Sequence, residues 1–351
     1  MKQLIYLVSI FFWIACSESH PSLYTHYTSF PIEQELTSKT VSLDTADMLR
    51  YPFRITIKEN VAIILDLHHP DYFYHAFSYP EWKYITSFGK RGEGPDEMIA
   101  GSALQFISLD SIWTLDNRKQ QISRWHLLPS EGTVKCKETA DLDKVLGIPM
   151  DFCVTDSTFL ITNYQSGHRF VEVDQKGKLL RAYGAIPTEK QKNKQSSTVL
   201  ALAWRSFIAY HPSNSVLVLA TQLGEVLEIN SLRNTDPIVL YGPYGEPIFQ
   251  ATPNGQIIPT GIMGFSDIKI TDNYIYAVFH GRPFKEISAA YQKGERAGDG
   301  GYSIYVYDLK GNLIKKYMLT IPIYGIDVNE ETNTIIATSV NTDDSIVEIK
   351  M

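Results

Sequence analysis

Short apolar or alternating runs, each broken by polar turn residues, fill the chain, and one arrangement of them recurs. A strand-like run ends on a polar residue and a more apolar run follows at once. Residues 55–60 precede 61–65, 105–110 precede 111–115, and 151–156 precede 157–161; 209–214 precede 215–219, 267–272 precede 273–278, and 327–332 precede 333–338. The residue closing the first run is Asn60, Asp110, Asp156, Asn214, Asp272 or Thr332, and the starts lie 50, 46, 58, 58 and 60 residues apart. Asn and Asp tolerate the left-handed backbone of a tight hairpin, so their return at one register predicts six copies of the same turn.

A second strand pair follows each hairpin. It is clearest at residues 168–174 and 178–183, joined through Gly177, and at residues 303–308 and 312–319, joined through Gly311. Four antiparallel strands in about 40–60 residues describe one blade of a β-propeller, whose inner strands are apolar on both faces because neighbouring blades pack against each. The fold predicted is all-β: a six-bladed propeller over residues 39–351. Its sixth repeat stops after a third strand at residues 345–350, so residues 39–43 are expected to supply the missing outer strand and close the ring.

Ahead of this domain, Lys2 precedes an apolar run from Leu4 to Ala15, shorter than a membrane span and suited to a signal-peptide core. Ala15-Cys16 at its end resembles a bacterial lipobox, although Trp13 stands where that pattern usually has Leu. The resemblance implies a leader over residues 1–15 and a lipid on Cys16. Glu18 just after it resembles the surface-export signal of Bacteroides-type lipoproteins, and residues 16–38 are read as a polar tether. The glycine-rich stretch 88–98 resembles the connector of NHL-type propellers. Taken with the leader and closing strand, the chain resembles the TolB-like six-bladed propeller lipoproteins of Bacteroides. That family implies a fold and an envelope location, in the outer membrane and facing periplasm or exterior, without a settled activity.

Composition agrees with a folded β protein: 44% hydrophobic and 20% charged residues, with 21 Tyr, 16 Phe, 22 Gly and 17 Pro. A formal charge of −7 argues against nucleic acid as a partner. Besides Cys16 there are only Cys136 and Cys153, each in a strand-like run, where a disulfide is permitted and two buried thiols are the plainer reading.

In an antiparallel blade the 2–3 turns and the links to the next blade share one face of the disc. Nearly all long connections fall there, at residues 89–102, 184–205, 242–265 and 281–301, which marks it as the expected working face. Arg54, His68, His69, Arg91, Arg118, Tyr164 and Arg282 are its candidate binding residues, suited to a glycan, a peptide or an envelope protein. Gln105, Asp151, Asp267 and Asp327 begin inner strands and are expected at the channel mouth. The three carboxylates are either candidate ligands for a divalent cation or caps that bind a neighbouring blade's backbone. His68, His69 and His75 invite a metal reading that their spacing does not support. No GxSxG, P-loop, HExxH or CxxC motif occurs, so a monomeric binding or scaffold module without a cofactor is the leading expectation. The alternative is a metal-assisted lactonase-like or lyase-like enzyme using the channel carboxylates. Residues 284–291 carry apolar positions at helical spacing and are expected to form a packed cap.

Overall fold

Each strand–turn–strand unit becomes the inner half of a four-stranded antiparallel sheet, and six such sheets stand around a central channel. In this computed structural model the described residues are 24–45, 48–162, 167–191, 194–232, 236–294, 299–340 and 345–351. Blade one is Pro52–Lys58, Val61–Asp66, Tyr72–Ser78 and Tyr84–Lys90; blade two is Gly101–Ser108, Ser111–Asp116, Gln121–Leu128 and Thr133–Asp141. Blade three is Phe152–Val154, Thr158–Thr162, His168–Asp174 and Leu179–Ala185; blade four is Ser206–His211, Val216–Thr221, Val226–Ser231 and Ile238–Tyr241. Blade five is Phe265–Ile270, Tyr274–Phe279, Gly301–Asp308 and Leu313–Ile323. Blade six is Ile326–Asn329, Thr334–Thr338 and Ile346–Lys350, completed by Ser38–Thr40 from the other end of the chain.

The turns form by two devices. Glu59, Asn60, Ser215 and Asn333 take the left-handed conformation at the inner hairpins of blades one, four and six. Asp110 instead accepts a 2.5 Å hydrogen bond from Ser108. The outer hairpins of blades three and five are twins. Asp174 accepts from the N–H groups of Lys176 and Lys178, and Asp308 from those of Lys310 and Asn312, with Gly177 and Gly311 at φ 83° and 84°. A left-handed position at the end of an Asx turn is where glycine is least strained.

The apolar faces meet between blades. Six hydrophobic clusters among the described residues lie one at each junction, including Ile63 with Trp125 between blades one and two and Ile64 with Ile336 between blades one and six. Cys153 is buried in the junction of blades three and four and Cys136 is exposed; both thiols are free, so there is no disulfide between them.

The N-terminal segment departs from the expected tether. From Tyr24 onward it is a strap across three consecutive blades. Tyr24–His26 adds in parallel to Ile238–Tyr241 at the rim of blade four, and Glu33–Leu36 adds in parallel to Leu313–Ile323 at the rim of blade five. Ser38–Thr40 then pairs antiparallel with Ile346–Lys350 to complete blade six. Between the first two, Phe30 is buried against Tyr305 and Tyr307; Leu36, at the end of the second, packs with Tyr317 and Leu319. The strap covers three sheet edges that would otherwise offer unpaired backbone.

Among the described residues two α-helices lie outside the blades. Ser197–Ala203, which the sequence pattern left in a loop, is capped by the Ser196 side chain and buries Val199, Leu200 and Ala203 beside Trp204 on blade four. Phe284–Gln292 is helical as expected, but it buries none of its residues and Tyr291 is 67% exposed, so it is no packed cap. Among the described residues no helix is long and apolar enough to cross a membrane.

The strap makes a graded prediction. Chains beginning at Tyr24, Ser38 and Leu43 should melt at successively lower temperatures, because the second lacks both parallel strands and the third also lacks the closing strand. Equal melting of the last two in thermal denaturation would refute ring closure by Ser38–Thr40.

Candidate binding face and channel mouth

The channel mouth is built from the first strands of alternate blades. Arg54 of blade one reaches across the channel to Asp151, at the entry of blade three, in a two-pronged contact: Nη1 donates to Oδ1 at 2.9 Å and Nη2 to Oδ2 at 2.8 Å. Its Nε lies 3.2 Å from Asp267 of blade five, an ion-pair contact. The guanidinium also sits 4.6 Å above the Phe207 ring of blade four. Arg54 is only 8% exposed, and both carboxylates are buried. Burial pulls the Arg54 guanidinium's pKa down, but the carboxylates of Asp151 and Asp267 outweigh it and the net shift is upward. Burial raises the Asp267 pKa, with Arg54 opposing.

The remaining oxygens are stitched to the next blade. Asp151 accepts from the Ile208 N–H of blade four, Asp267 from the Ile326 N–H of blade six, and Asp327 from the Ile57 N–H of blade one. Asp327 also takes a 2.7 Å ion pair from Lys269. Gln105 donates to the Phe152 carbonyl, joining blade two to blade three. Gln105, Asp151, Asp267 and Asp327 therefore each tie one blade to the next, as caps do. A cation here would have to displace Arg54, Lys269 and backbone N–H groups, so this donor set does not fit a metal. Among the described residues no group of three or more His, Cys, Asp or Glu could hold one. Below Arg54 a cavity of about 200 Å³ follows the inner strands past Gln105 and Lys269 to Ile107, Tyr210 and Ile270.

A second recurrent position lies at or one residue past the end of each second strand: Asp66, Asp116, Thr162, Thr221, His280 and Thr338. Each ties the loop-face end of its blade. Asp66 accepts from the N–H groups of Arg50, Tyr51, His68 and His69; Asp116 from those of Ile99, Ala100, Arg118 and Lys119. Thr162 accepts from the Asp151 N–H, and Thr338 from the Gly325 N–H. Thr221 bonds Val226, and His280 Nδ1 accepts from the Arg282 N–H. A polar residue at or within two positions of the end of each apolar run was the signal for them.

Several expected surface residues do structural work. Arg54 is the buried plug just described, not a rim residue. Arg91 lies 3.7 Å over the Phe73 ring and donates to the Leu67 carbonyl at 2.5 Å. It belongs to the glycine-rich connector, which Lys90 and Glu97 lock by a 2.7 Å ion pair and Lys119 fastens through the Gly94 and Glu97 carbonyls. His69 Nδ1 accepts from the Asp71 and Tyr72 N–H groups. His75 is buried beside it, with Nδ1 2.8 Å from Ser87 Oγ, and desolvation lowers its pKa to about 4. Arg282 is half-buried, and Tyr164 lies outside the described residues.

What remains open on the loop face is aromatic. Half-buried Tyr51, Phe53 and Tyr324 form a floor above Arg54, with ring centroids 4.7 Å apart for Phe53–Tyr324 and 6.1 Å for Tyr51–Tyr324. Exposed His68 lies 4.5 Å from the Tyr51 ring, and the Tyr51 hydroxyl donates to Asp299 of the blade-five insertion. Arg205 with Gln222, and exposed Arg118, add polar groups from blades four and two. Rings that present a face and an edge together with amides and guanidinium groups suit stacking on sugars or peptide side chains. The sequence pattern pointed to His68 and Arg118 but not to the floor, whose rings fall at or just before the start of first strands.

A family model described as TolB-like 6-blade propeller-like matches residues 29–331. Among solved structures, a protein of Bacteroides fragilis described as exported is similar over 93% of this chain and 98% of its own, at 10% identity and a TM-score of 0.56. A catalytically inactive variant of virginiamycin B lyase from Staphylococcus aureus, solved with quinupristin, is similar over 90% of this chain and 100% of its own, at 16% identity and a TM-score of 0.50. At such identities these likenesses concern the fold. No curated protein matches the chain.

The Arg54 plug makes the second prediction. Arg54→Ala strands two buried carboxylates and should cost about 3–5 kcal/mol in urea unfolding, whereas Arg54→Met with Asp151→Asn and Asp267→Asn should cost less. In Arg54→Ala the folded-state pKa of Asp267 rises further above its unfolded value. Its deficit against wild type should therefore be smallest near pH 4 and widen as pH rises through that pKa. A deficit independent of pH would refute the role of the carboxylates.

Proposed function

The chain belongs to the TolB-like six-bladed propeller family, and on that footing we propose that it is an exported binding module of the cell envelope. Its loop face takes a polymer, glycan or peptide, or a protein partner. The observation that carries this reading is the Tyr51, Phe53 and Tyr324 floor, a half-buried stacking surface ringed by polar groups from several blades. The channel carboxylates beneath it are spent on Arg54, Lys269 and backbone N–H groups, which weighs against the metal-assisted enzyme alternative.

Location follows from the leader. Residues 1–15 are proposed as a signal peptide and Cys16 as the lipidated residue; both lie outside the described residues. The likeness to an exported Bacteroides protein supports an envelope or secreted place. Only seven residues separate Cys16 from Tyr24, so the propeller rim would stand within about 30 Å of a lipid on that cysteine.

Two experiments test these readings. Cells fed radiolabelled palmitate should label the wild-type chain and not Cys16→Ala, which should appear in the soluble fraction; an unlabelled wild type would refute the anchor. In a pull-down from a detergent-solubilised envelope, combined His68→Ala, Arg118→Ala and Tyr324→Ala should cut retention of bound material by roughly tenfold. Lys176→Ala with Lys310→Ala, on the short-turn face, should not. Equal retention by both sets, with native circular dichroism, would show that the loop face is not the binding face.

A further inference from the structure

A second cavity, of about 360 Å³, lies away from the channel, between the strap and blades four and five. Strap residues Tyr27 to Phe30 form one wall, and Phe279, Tyr305 and the exposed ring of Tyr244 form others. It holds three formally charged side chains. Lys316 pairs with Glu33 at 3.3 Å on one side and acts on Glu225 only through space, against the larger effect of burial. Glu225, 1% exposed, is the third.

Glu225 has hydrogen bonds but no ion-pair partner. Tyr27 Oη donates to its Oε1 at 3.1 Å and the Tyr244 N–H to its Oε2 at 3.1 Å, and the Tyr305 side chain also bonds it. Among the described residues no Lys, Arg or His pairs with it. A carboxylate has about four lone-pair sites, so these donors leave room for one more. Gly242 is required at this place because a Cβ there would fall 2.1 Å from Glu225 Cδ. His280 lines the same cavity. Its Nδ1 accepts from the Arg282 N–H, and desolvation lowers its pKa to about 4, so it is neutral at pH 7 and adds no positive charge.

A buried carboxylate without a paired cation is costly, and aromatic walls favour a cation over an anion. We propose that this cavity binds a primary ammonium group carried on a compact body, the ammonium donating to Glu225 and the body lying among Phe279, Tyr305 and Tyr244. The volume is at the small end of ordinary ligand pockets, about 300–1,000 Å³. Burial raises the Glu225 pKa, and a cationic ligand relieves that penalty. Because the strap supplies one wall, the ligand also fastens the strap to blades four and five. This proposal is independent of the loop-face reading.

The probe is n-pentylammonium, with n-pentanol as the uncharged isostere, followed by calorimetry and by thermal melting of the chain from Tyr24. The ammonium should bind saturably and raise Tm while the alcohol does neither. Glu225→Gln should weaken binding by roughly tenfold or more. Should that variant fail to fold, Tyr244→Ala, which alters an exposed ring at the cavity wall, should weaken it by about threefold. Equal binding of alcohol and ammonium, no saturable binding by the wild type, or affinities unchanged in the folded variants would overturn the proposal.

Discussion

The ring depends on one arginine. A six-bladed disc leaves a hole on its axis where polar ends of inner strands converge, and two of those ends carry buried aspartates. Arg54 spans the hole and answers both. Because each carboxylate also holds the next blade's backbone, the single cation couples blades one, three and five directly and blades four and six through Asp151 and Asp267. A charge network of this kind adds little net stability relative to an apolar plug, yet it penalises any arrangement in which the blades are rotated or miscounted. Apolar junctions alone, which are similar at all six interfaces, would discriminate far less.

The parts legible in the sequence were those with a repeating local cause. Asn60 and its counterparts marked the inner hairpins because turn chemistry is local, and the Asp174 and Asp308 hairpins were readable for the same reason. The short sixth repeat exposed a missing strand, which Ser38–Thr40 supplies a little before the expected 39–43. Position along the repeat also singled out Asp151, Asp267 and Asp327, but not their partners. Arg54 and Asp151 are 97 residues apart, and nothing local distinguishes a plugging arginine from a rim arginine.

Elsewhere the signals were too short or ambiguous. Tyr24–His26 and Glu33–Leu36 are three and four residues long and almost wholly exposed along their length, so they show no alternation and pass for a tether. Ser197–Ala203 is under two turns of helix, less than a periodicity window can register. For Phe284–Gln292 the period predicted the helix correctly. Its apolar positions did not show whether anything would pack on them, and within the described chain nothing buries them.

The strap's direction sorts the molecule into a front and a back. Tyr24–His26 runs parallel to the outer strand of blade four, and that strand leads into the long connection of the loop face. The chain therefore enters the disc travelling from the short-turn side toward the loop side. At Tyr24 the backbone, followed toward its N-terminus, points away from the loop side, where the aromatic floor around Tyr324 lies. The direction in which the chain reaches the rim and the face that carries the aromatic floor are thus opposed along the propeller axis, a polarity set by three residues at the rim.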